Sequence, residues 1–218
     1  MPAWVLPVAR YMAGGLELTL LISFVSALAS TLLGTLLGSL ATLRTPLVTV
    51  PIRAYVELWR GLPIILTLFF IFFLLPAVGV RLESLYAAVI GLTLWGSANC
   101  AEIVRGAVNS IPGAQHQAAT ALGLSWGQRM AYVILPQAFR RMLPPLVSLL
   151  ANLVQSSALC ALIGVLELTQ RAQQQIARLT ILGNSHALEI LGAVMVIYFL
   201  ACLPLTRMSA RLERRLVA

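Results

Sequence analysis

Asn152, Gln155 and Ser156 stand at i, i+3 and i+4 inside an apolar run, so one helical face would carry three hydrogen-bonding side chains where water is scarce. Ser157 extends that group, and Ser97 and Asn99 interrupt a second run in the same way. A serine becomes a nucleophile only beside an activating base, and none accompanies these residues, so hydrogen bonding is the chemistry they offer. They line a path for a polar solute through a bilayer, or they bond neighbouring helices to one another. Both readings stand on the sequence alone.

Residues for covalent chemistry are not assembled. His116 and His186 have no clustered Cys or Asp partners. Cys100, Cys160 and Cys202 sit in apolar runs at spacings that match no metal or redox motif, and are expected to pack. The chain has no lysine, so it has no G-x-x-x-x-G-K-[S/T] loop and is expected to bind no nucleotide itself. A membrane-embedded enzyme needs a nucleophile–base or metal set, and none is seen, so no enzyme is expected. A secondary transporter or channel calls for inverted repeats or ionisable groups at mid-membrane. Glu17, Glu57, Glu83, Glu102, Glu167 and Glu189 all fall near the ends of apolar runs instead.

The elements that must position these residues are oily. The chain is 60% hydrophobic with a mean hydropathy of +0.92. About twenty apolar residues cross a bilayer, and runs at 16–43, 64–75, 85–100, 146–166 and 190–205 are candidates. The expectation is an all-α, polytopic membrane protein with about five spans in a single transmembrane domain, residues 1–218. Alternating strands of a β-barrel are not seen. The opening MPAWVLPVAR has no basic n-region and is not expected to be a signal peptide.

Every basic side chain is arginine, and the net charge is +8. In a membrane chain such arginines set orientation, so no nucleic-acid partner is expected. Arg44, Arg53, Arg60, Arg105, Arg129, Arg140, Arg141, Arg207, Arg211, Arg214 and Arg215 fall on one side of a five-span chain; Arg10, Arg81, Arg171 and Arg178 fall on the other. The richer side is cytoplasmic, which puts the N-terminus outside and the C-terminus inside.

The segment 110–136 then becomes a long cytoplasmic loop between spans three and four. Ser110 is expected to cap a short helix with Pro112 in its first turn, and Gly123 to stop it in the left-handed conformation. Ser125 and Gln128 form an S-x-x-Q capping box for a second helix, which Pro136 is expected to kink or end. The first helix offers Gln115, His116, Gln117 and Thr120 as its polar residues. A membrane-surface helix would carry basic residues there, so a protein partner is the better reading.

Here a resemblance becomes specific. Gln117-Ala118-Ala119, Gly123 and, nine residues later, Val133-Ile134-Leu135-Pro136 resemble the EAA loop of ABC-importer permeases. YVELWRGLP at 55–63, AEIVRGA at 101–107, SIP at 110–112 and GVLELT at 164–169 resemble segments of the polar amino-acid and opine uptake branch, in the same order and spacing. Two positions depart from it. Gln117 replaces the family's glutamate, exchanging a charge-assisted bond of about 1.5–3 kcal/mol for a neutral one of about 1 kcal/mol. Ser156, in QSSAL, lacks the acid of the common KDTSL.

The resemblance implies the type I ABC importer permease fold, with the two-helix loop acting as a coupling element in the bacterial cytoplasmic (inner) membrane. It implies docking on an ATP-binding cassette subunit through Gln117, Ala118, Ala119 and Gly123, with Leu122 packing behind. It implies a second permease subunit, identical or different, and an extracytoplasmic solute-binding protein that delivers an amino acid. ATP and Mg would belong to the ATPase subunit, with no cofactor on this chain.

Overall fold

The computed structural model describes residues 4–43 and 45–216, and among them every regular element is a helix. Arg44, counted above in the charge asymmetry, lies outside the described residues. The first helix, α1 (Val5–Leu40), starts eleven residues before the expected apolar run. Pro7 sits in its first turn, where a missing N–H costs nothing. At 36 residues it is about 54 Å long, well beyond a hydrocarbon core of about 30 Å.

Its buried face is a stripe of small residues at helical spacing: Gly15, Thr19, Ser23, Ser26, Ser30, Gly34 and Gly38. Ser30, Gly34 and Gly38 of that stripe pack along α4 (Ser84–Asn109), while Gly15 and Thr19 lie against Leu168. The approach is close enough that a Cβ on Gly34 would lie 2.6 Å from the carbonyl oxygen of Ser97, and one on Gly38 2.6 Å from that of Ala101. In lipid, apolar surface does not drive helices together, so contact of this intimacy supplies the attraction.

Residues 46–61, expected to be loop, form a helix. α2 (Pro46–Gly61) buries Ile52 and Val56 against Ala101 of α4. Pro63 forbids its continuation: Leu62 is pushed to φ −90°, ψ 137°, and the chain turns by 105°. α3 (Ile64–Phe69) follows, then a π turn at Phe70–Leu74 and a 3₁₀ turn at Leu75–Val78. Among the described residues, four helices are long and apolar enough to cross a membrane by themselves, and five spans result if the bent pair 46–61 and 64–78 counts as one.

After α4 come α5 (Gly113–Ala121) and α6 (Trp126–Arg129), and then a continuous helical rod to Ile163. Pro136 does not end it. The preceding π turn, Met130–Ile134, widens the coil, and α7 (Leu135–Ser156) starts with Pro136 in its first turn. A wider turn relieves the clash of a proline ring with the carbonyl four residues back. The second loop helix is therefore the start of the fourth span. A 3₁₀ segment, Ser157–Ile163, leads to Gly164 at φ 84°. α8 (Leu168–Ile181), absent from the sequence reading, is amphipathic, and α9 (Ala187–Leu216) completes the bundle.

Candidate functional site

The elbow between α4 and α7 is built from turn chemistry. Gly123, at φ 76°, places its own N–H on the Thr120 carbonyl at 2.9 Å and the Leu124 N–H on the Ala119 carbonyl at 3.1 Å. This double closure needs a left-handed residue, which glycine adopts without strain. Ser125 Oγ then accepts from the Gln128 N–H at 3.4 Å, and Gln128 Oε1 accepts from the Ser125 N–H at 2.9 Å. Arg129 Nη1 donates to Thr120 Oγ1 at 2.8 Å and braces one arm against the other.

Ser110 does not cap α5, which begins after Pro112 without a side-chain cap. Its hydroxyl folds back on the Ala107 carbonyl at 2.7 Å, closing α4, and its own carbonyl accepts from Arg141 Nη1 at 2.6 Å. The expected roles within the patch also change. Ala119 is 3% exposed, because its face of α5 turns toward the chain's own body, whereas Leu122, expected behind the patch, is 81% exposed. Gln117, Ala118 and Gly123 lie at the surface, and exposed Trp126 joins them from α6.

The mid-membrane polar residues do not converge on one place. Asn99 and Asn152 line a common crevice of about 430 Å³ between α4, α7 and α9, with Trp95, Ser148, Ser209 and Glu213. Asn99 Nδ2 donates to the Trp95 carbonyl at 2.9 Å. Asn152 is exposed and has no side-chain hydrogen bond among the described residues. Gln155 lines a different, mostly apolar cavity between α7 and α9, beside Tyr198 and Cys202. Ser156 is half-buried.

Ser97 and Ser157 are fully buried and used up in packing. Ser97 Oγ pairs with Tyr55 Oη at 2.7 Å and donates to the Leu94 carbonyl at 3.1 Å; Ser157 Oγ donates to the Val154 carbonyl at 2.7 Å. The reason is that α2 covers Ser97, and a reading without α2 leaves that face open.

α2 also builds a feature that sequence reasoning missed. Arg53, Glu57 and Arg60 of α2 face Glu102 and Arg105 of α4 around a cavity of about 380 Å³. Glu102 accepts from Arg105 Nε at 2.9 Å and Nη2 at 2.5 Å, and Arg60 Nη1 approaches it to 3.7 Å. The signal was a repeated E-x-x-R, at Glu57–Arg60 and Glu102–Arg105.

Glu167 was missed in another sense. Read as an interfacial group, it is fully buried, and it accepts hydrogen bonds from Tyr198 Oη at 2.8 Å, Thr19 Oγ1 at 3.4 Å and the N–H groups of Thr169 and Gln170 at 2.9 and 2.8 Å. It caps α8 and pins it to α1 and α9. The three cysteines are free and buried, and no group of three metal-ligating residues occurs among the described residues.

The whole arrangement has relatives. Residues 10–218 match the family model of binding-protein-dependent transport system inner membrane components. The chain is 35% identical over 205 residues to the probable glutamine ABC transporter permease protein GlnP of Bacillus subtilis, covering 94% of this chain and 93% of that one. Over 164 residues it is 43% identical to the glutamine transport system permease protein GlnP of Escherichia coli, covering 74% and 73%. A crystal structure of an amino acid ABC transporter with histidines superposes with a TM-score of 0.87 at 26% identity, covering 96% of each chain.

Proposed function

This chain belongs to the family of binding-protein-dependent transport system inner membrane components, and from that membership we propose that it carries polar amino acids inward. It is the multi-pass permease subunit of an ABC importer in the inner membrane, a transport protein and not an enzyme. Its N-terminus faces outward and its C-terminus the cytoplasm. It forms a lipid-embedded pore with a second permease subunit, identical or different, and receives its amino acid from an extracytoplasmic solute-binding protein. ATP and Mg are bound by a separate ATP-binding cassette subunit.

The observation that carries the coupling is the elbow. α5 projects from the rods on the left-handed turn at Gly123, is braced by Arg129, and presents Gln117, Ala118, Leu122 and Trp126 outward. α6 continues without a break into α7. A push on the elbow is therefore delivered to a spanning helix as a rigid-body movement. That helix carries Asn152, which shares its crevice with Asn99.

An amino acid carries both signs of charge. Arg53, Arg60 and Arg105 offer donors for a carboxylate, and Glu57 and Glu102 offer acceptors for an ammonium, around one cavity. Reconstitution of this chain with its ATPase subunit in liposomes tests the reading. A polar amino acid, presented by its binding protein, is expected to raise ATP hydrolysis and to accumulate inside. Hydrolysis that never responds to any amino acid overturns the substrate class, and failure of the elbow to touch the ATPase in cross-linking overturns the coupling.

A further inference from the structure

We propose that the cleft between the N-terminal end of α1 and α8 is a binding site for the phosphate of an anionic phospholipid headgroup. Four arginines lie on the arginine-poor side of the chain, and three of them, Arg10, Arg171 and Arg178, line one cavity of about 450 Å³. Arg10 comes from α1 and the other two from α8, so tertiary packing brings them together. Among the described residues no acidic side chain lines the cavity; Glu17 lies two turns along α1, and Glu167, one turn before Arg171, is buried with its oxygens committed to Thr19, Tyr198 and the N–H groups of Thr169 and Gln170. Guanidinium groups gathered without a counter-charge repel one another unless an anion joins them.

The cleft is built, not incidental. Arg171 is held by three contacts: Nε donates to the Leu166 carbonyl at 3.0 Å, Nη1 to the Tyr11 carbonyl at 3.0 Å, and the guanidinium lies 4.9 Å from the centre of the Tyr11 ring. Gly14 leaves the room for this, since a Cβ there would lie 2.5 Å from Arg171 Nη1. Nη2 remains uncommitted among the described residues. Gln175 is 8% exposed, lines the same cavity, and has no hydrogen-bond partner among the described residues. A buried amide, one preset guanidinium and two free ones are donors in search of acceptor oxygens, which a phosphate supplies.

The position selects a lipid over an acidic protein surface. Trp4 stacks on His186 at 4.2 Å, and Val8 and Met12 pack on Ile190 and Val194, so this end of α1 lies beside the first turns of the last span. Aromatic residues at that level mark the headgroup layer. Exposed Leu6 and Pro7 form the apolar rim of the cleft. Further along α1, Leu20, Phe24, Leu28, Leu32 and Leu36 form an exposed apolar ridge, a track for acyl chains below a headgroup.

The test is native mass spectrometry of the full chain, purified with its co-purifying subunits and titrated with phosphatidylglycerol. The wild type is expected to retain lipid adducts, and Arg10→Gln with Arg178→Gln to lose them, by about fivefold in affinity for each arginine removed. Both side chains are exposed and unbonded among the described residues, so folding is spared. Arg10→Lys with Arg178→Lys, which retains the charges, is expected to keep most of the adduct, and Arg81→Gln all of it. Unchanged retention by the double glutamine variant overturns the site. Inorganic phosphate or glycerol phosphate competing as well as the lipid at equal concentration overturns the lipid source. Loss of binding-protein capture by the double variant, with lipid retention intact, assigns the cleft to an acidic protein surface and overturns the proposal. The readout requires no transport, so it stands or falls separately from the amino-acid reading.

Discussion

Tyr198 Oη donates to Glu167 Oε2 across 2.8 Å, joining the last spanning helix to the cap of α8. Thr19 of the first helix reaches the same carboxylate, so one buried side chain ties three elements that are far apart in the chain.

All four hydrogen-bonding neighbours of Glu167 are donors. Glu167→Gln turns an amide nitrogen toward some of them and is expected to cost about 2–3 kcal/mol, with Tyr198→Phe costing about 1 kcal/mol. Thermal unfolding of the purified protein checks this, with an expected drop of roughly 5–10 °C for the glutamine variant. A variant as stable as the wild type would contradict the role of the carboxylate.

Gly34 has no room for a side chain: an added Cβ would also clash with the Cβ of Cys100. Gly34→Val is expected to destabilise the α1–α4 packing by about 1–3 kcal/mol, seen as loss of monodisperse protein in size exclusion. Gly192 has nothing within 4 Å of a new Cβ, and Gly192→Ala should be neutral or mildly stabilising.

Within the elbow, exposure separates docking from folding. Leu122→Asp is expected to reduce co-purified ATPase subunit about tenfold while leaving the melting temperature unchanged. Gly123→Asp should lose capture together with the left-handed turn. Ala119→Leu is expected to lower the melting temperature, because Ala119 is packed inward. Full ATPase capture by the Leu122 variant would rule out that side chain as part of the contact.

Asn152 and Ser97 are expected to part company in the same way. Asn152→Leu removes an exposed amide from the crevice and should depress amino-acid uptake by proteoliposomes without loss of stability. Ser97→Ala breaks the bond to Tyr55 and should cost about 1 kcal/mol of stability with uptake intact. Identical uptake in the Asn152 variant would mark that residue as a packing group.

Much was legible in the sequence because its causes are local. The length of an apolar run states whether it crosses a bilayer, and Gly123, Ser125 and Gln128 declare a turn and a cap within four residues of one another. The amphipathic α2 and α8 were not legible as such, since Pro51 and the glutamines mask their periodicity.

By itself, then, the sequence determined the all-helical membrane class, the elbow and its turn chemistry, and the absence of a lysine-bearing phosphate loop. Only the tertiary structure decided which polar residues meet. Helical spacing put Asn152, Gln155 and Ser156 on one face, yet Asn152 and Gln155 line different cavities, because α9 packs across that face. Spacing specifies direction from one axis, whereas a neighbour depends on where another axis lies. For Thr19 and Glu167 that other axis is 148 residues away.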